Sequence, residues 1–76
     1  MKKERRNKLE SIREHLERVK EKVANIAEEE SDELEETSLS VDSEAYARHE
    51  QEVERLEDLL EVFDDLLDEF VEVLDL

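Results

Sequence analysis

Two apolar series run through this chain. In the first half, Leu9, Ile12, Leu16, Val19, Val23 and Ile26 follow one another at steps of 3-4-3-4-3. In the second half, Val53, Leu56, Leu60, Phe63, Leu67, Phe70 and Leu74 continue the same rhythm, and extending it backwards reaches His49 and Tyr46. Alternating steps of three and four place side chains along one stripe of an α-helix, the pattern of a helix lying against one other helix. The spacing predicts a single domain over 1–76, with one helix over about 2–36, a loop over about 37–42 and a second helix over about 43–75. The loop is TSLSVD, whose hydroxyl and carboxylate side chains compete for backbone hydrogen bonds. Asp42 is the expected N-cap of the second helix, with Val41 and Tyr46 forming a hydrophobic staple across it. Ser31 and Asp32 offer an earlier end for the first helix.

The place where the first helix stops decides the register of an antiparallel hairpin. A stop near residue 29 puts Ile26 beside Tyr46 and Leu9 beside Phe63, leaving Phe70 and Leu74 without a neighbour. A stop near residue 36 puts Ile26 beside Val53, Leu16 beside Phe63 and Leu9 beside Phe70. It also brings Glu30 to His49, and Lys2, Lys3, Arg5 and Arg6 to the acidic end of the second helix. The longer register gives every seam residue an apolar partner and is the one expected here. Each helix is then roughly 50 Å long at about 1.5 Å per residue.

The second helix is apolar over more than one stripe. Leu59, Val62, Leu66, Val73 and Leu76 form another row beside the main seam, interrupted by Glu69. The first helix, on this reading, has no comparable second row. A dozen seam side chains at about 1.5–3 kcal/mol each do not outweigh an ordering cost of about 1.5 kcal/mol per residue. A neighbour outside the hairpin is therefore expected on Leu59, Val62, Leu66, Val73 and Leu76. The fold class that results is all-α: a two-helix antiparallel coiled-coil hairpin pairing into a homodimeric four-helix bundle, with the second helices at its centre. A different protein is the other candidate neighbour.

Charge changes the picture more than composition does. Of 76 residues, 26 are Asp or Glu and 11 are Lys or Arg, a net charge of −15. Residues 1–23 hold nine Lys/Arg against five Glu, a net of +4, whereas residues 24–76 hold two Arg against 21 acids, a net of −19. Within the second helix Glu54, Asp58, Glu61, Asp65, Asp68, Glu72 and Asp75 form a stripe opposite the main seam. Any amphipathic helix has a polar face; the unusual feature is its single sign, with no cation after Arg55. Carboxylates at this spacing repel and weaken the helix unless something offsets them. A salt-adapted host would also favour excess acid, but Glu outnumbers Asp by 19 to 7 and five Lys remain.

Other chemistries find little purchase. The chain has no Cys and no Gly, so thiolate chemistry and glycine-rich phosphate loops are absent. The residues three before His15 and His49 are Ile12 and Tyr46, so the Glu-x-x-His pair of carboxylate-bridged metal bundles is missing. No cofactor or metal is expected, no catalytic residue stands out, and the chain is read as non-enzymatic. The basic start, MKKERRNK, lacks interleaved aromatics and is assigned to pairing with the acidic helix rather than to direct nucleic-acid contact. An all-acidic polar face also disfavours anionic membrane surfaces. With no apolar run near the roughly 20 residues of a membrane span, a cytoplasmic location is the default expectation. The expected function is an acidic interaction and oligomerisation module that binds itself and a basic protein, using the Glu54–Asp75 stripe. One alternative is a nucleic-acid mimic that inhibits a DNA- or RNA-binding protein, in the manner of anti-defence proteins or antitoxins; another is a purely structural or designed bundle.

Overall fold

Without Gly or Pro, nothing along either apolar series interrupts helical hydrogen bonding. The computed structural model describes residues 1–36 and 43–76. Helix α1 spans Lys3–Glu36 and helix α2 spans Glu44–Leu74. They pack against each other as an antiparallel hairpin whose Cα atoms extend 57 × 15 × 12 Å. No helix of the described residues is long and apolar enough to cross a membrane.

Ser43 caps α2, one residue later than the Asp42 expected from sequence. Its backbone is extended (φ −77°, ψ 150°), and its Oγ accepts the Tyr46 N–H at 3.1 Å. A cap of this kind contributes about 1 kcal/mol. The proposed staple fell on Val41, which with Asp42 lies outside the described residues.

Three cross-helix contacts set the register. The Arg6 guanidinium donates to the Leu74 carbonyl, Lys20 Nζ pairs with Asp64, and His49 Nε2 lies 3.0 Å from Glu30 Oε2. This is the longer of the two registers, with α1 continuing to Glu36. It carries Leu34 onto the hairpin seam, level with Tyr46; both are half-buried.

The seam on α1 differs from the expected one. Ile12 and Ile26 are 49% and 50% exposed. The residues turned toward α2 are Arg6, Leu9, Arg13, Leu16, Lys20, Val23, Ala27, Glu30 and Leu34, again at steps of three and four. Leu9, Leu16 and Val23 belong to both rows, but the helix is rotated so that Ala27, not Ile26, lies level with Val53. Ala27 and Val53 are each 7% exposed, as fits a small residue admitting a larger one. Arg13 and Lys20 complete the row by laying aliphatic stems over the seam while their charged ends reach Glu17 and Asp64. The rotation leaves Ile12, Val19 and Ile26 as a second apolar row, so α1 does have one.

Candidate interaction surfaces

The hairpin presents two long faces of opposite character. On α2, the side opposite the seam holds Glu54, Asp58, Glu61, Asp65, Asp68, Glu72 and Asp75, and all seven side chains are exposed. Among the described residues none of the seven forms an ion pair; the cross-helix cation Lys20 is taken by Asp64, outside the stripe. The stripe resolves into two files. Asp58, Asp65 and Glu72 recur every seven residues on the flank nearer Val62, while Glu54, Glu61, Asp68 and Asp75 recur on the flank away from it.

The other face is apolar. Ile26, Leu56 and Leu59 line one groove of about 660 Å³, with Glu30, Arg48, Gln51, Glu52 and Arg55 around them, and Leu9, Leu66, Phe70 and Val73 line another of about 190 Å³ beside Glu69. These grooves place the exposed row of α1 and the second row of α2 on the same side of the hairpin. Leu59, Val62, Leu66, Val73 and Leu76, the sequence-predicted interface, are 43%, 60%, 42%, 39% and 95% exposed. Ile12 and Val19, seven and fourteen residues before Ile26, extend the strip along α1. The 3-4 spacing places both on the hairpin seam, so their part in this face is not legible in the sequence.

Near the connection between the helices, Glu30, Glu33 and His49 bring one ligand atom each within 4.8 Å of one another. Glu30 and His49 were expected to meet; Glu33 joins them because it lies one turn beyond Glu30 on the same side of α1. One imidazole and two carboxylates are a donor set that a divalent cation accepts. Arg48 and Glu52 line the same groove, so the protein supplies a cation of its own there. His49 is a half-buried seam residue satisfied by Glu30, which answers the polarity of an imidazole at that position.

The fold and these faces define a helical hairpin with one acidic and one apolar long side. The chain matches no protein family model, no curated protein and no solved structure.

Proposed function

We propose that the chain is a non-enzymatic interaction module that presents its acidic α2 face to a basic surface of another protein. The observation that carries this reading is the stripe from Glu54 to Asp75, seven exposed carboxylates of one sign on a face used by neither the hairpin seam nor the apolar strip. Desolvating them one by one would be costly, but a surface of fixed Lys and Arg side chains offers partners for the whole row at once, with fast, salt-dependent association. The stripe covers 22 residues, roughly 30 Å at about 1.5 Å per residue, enough to follow a basic groove of the kind that holds nucleic acid.

The test uses the outer file alone. Glu54→Gln, Glu61→Gln, Asp68→Asn and Asp75→Asn together keep shape and helix length while removing four charges. A basic protein captured from the source cells and then purified is expected to bind the original chain at least tenfold more tightly than this variant. Equal affinities would remove the acidic face from the function. If the captured protein also binds DNA or RNA, displacement of a labelled duplex by the original chain distinguishes the inhibitory mimic from a simple docking module.

A further inference from the structure

We propose that the apolar strip is covered by a second copy of the hairpin, joined face to face about a two-fold axis that runs along the helices, so that α1 of each copy lies on α2 of the other. This concerns the apolar face and draws on the acidic stripe only at its inner file, Asp58, Asp65 and Glu72.

The hairpin alone leaves its core unfinished. Only Ala27, Val53 and Leu74 are buried, and no large side chain is fully buried among the described residues. Meanwhile Ile12, Ile26, Leu59, Val62, Leu66 and Val73 remain 39–60% exposed. The hairpin extends 57 Å by 15 Å along this side, so pairing along its length approaches the roughly 800 Å² per partner of a standard stable interface when the polar edges are included. Covering it with a second such face would bury both strips at once.

Two symmetric arrangements bring the strips together, and the heights of the residues separate them. An axis across the helices would put α1 on α1 and α2 on α2. The second row of α1, exposed at Ile12 and Ile26 and half-buried at Val19, is centred on Val19, which the hairpin register places level with Leu60, whereas the row on α2 is centred on Leu66. Centring the axis on Val19 sets Leu66 and Val73 of one copy over the polar residues Arg48, Gln51 and Arg55 at the start of the other's α2. Centring it on Leu66 sets Asp58, Asp65 and Glu72 against the same acids of the second copy. Neither position serves both rows.

An axis along the helices has no such conflict. Rotation about it leaves every residue at its own height, so the register between α1 and the partner's α2 is the register already seen within the hairpin. Ile12 then stands level with the partner's Leu66, and Val19 with the partner's Leu59 and Val62. The edges of the strip are complementary in charge at Lys8 and Lys22. Along α1 the edge reads Lys8, His15, Lys22 and then Glu29. Level with the first three, the partner's α2 offers Glu72, Asp65 and Asp58, a file that continues to Gln51 at the height of Glu29. Glu69, which interrupts the apolar row of α2, falls between Lys8 and His15 of the second copy. Only the inner acidic file is used in this way, and Glu54, Glu61, Asp68 and Asp75 stay free.

Sedimentation of the full chain at micromolar concentration is expected to give twice its 9.1 kDa mass, and Leu66→Glu, a change at an exposed position, to return a single-chain mass. A monomeric original chain would overturn the proposal. Because the chain has no native Cys, the axis can be read by oxidation. An equimolar mixture of Ile12→Cys and Leu66→Cys chains should form a mixed disulfide, while each variant alone stays uncrosslinked. Efficient self-crosslinking of Leu66→Cys alone, in a dimer, would overturn the lengthwise axis. These readouts do not involve the outer acidic file, so they fail or succeed independently of binding to a basic protein.

Discussion

Replacing Val53 with Asp should abolish cooperative unfolding and most of the helical circular dichroism near 222 nm. Val53 is 7% exposed and level with Ala27, equally buried, at the tightest part of the seam. Among the described residues, the α1 seam positions nearest to it in register, Val23, Ala27 and Glu30, offer no cation to an Asp there. An unpaired buried carboxylate costs several kcal/mol. Small helical units hold no more than about 3–5 kcal/mol in total, so the substitution exceeds what the fold can lose. Val53→Ala, which removes only methyl groups, should cost about 1–2 kcal/mol and leave a lowered but cooperative transition. A Val53→Asp chain melting within a few degrees of the original would show that this part of the seam is not the core.

Salt should act in the opposite direction. Six neighbouring pairs along the Glu54–Asp75 stripe stand three or four residues apart, and each like-charged pair destabilises a helix by about 0.2–0.5 kcal/mol. The stripe therefore costs roughly 1–3 kcal/mol at low ionic strength. At about 1 M salt the screening length falls to about 3 Å, shorter than the spacing between these carboxylates. For a domain of this size about 1 kcal/mol corresponds to about 4–8 °C. The thermal midpoint is expected to rise by roughly 10 °C between about 10 mM and about 1 M sodium chloride. The exposed pairs Arg13–Glu17 and Lys20–Asp64 are screened as well, but such pairs contribute little. A midpoint that falls with salt would mean that attraction, not repulsion, governs the hairpin.

The helices, their antiparallel pairing and the Glu30–His49 contact were legible because a 3-4 rhythm can be satisfied along the whole of α2 only when α1 reaches Glu36. The rotation of α1 was not. Leu9, Leu16 and Val23 are shared by two adjacent rows, one completed by Ile12, Val19 and Ile26 and the other by Arg13, Lys20 and Ala27. Apolar spacing selects the first row; the structure takes the second, because Ala27 allows close approach and long cationic side chains can cover a seam with their stems. The cap moved from Asp42 to Ser43 for a simpler reason: both residue types cap well, and sequence does not separate neighbours. The acidic stripe was legible as a pattern, while its division into an inner and an outer file depends on which side the apolar strip occupies.

The ladder of cross-helix contacts also orders the assembly of the chain in time. Glu30 and His49 are 19 residues apart in sequence, whereas Arg6 and Leu74 are 68 apart. Closing the wider loop first would cost about 1 kcal/mol more entropy than closing the narrower one. Once Glu30 meets His49, every later contact closes only a short additional length of chain. The hairpin thus zips from its connection toward its ends, with Arg6 docking last and fraying first. Amide exchange should reflect that gradient, slowest around Ala27 and Val53 and fastest beside Lys3 and Leu74.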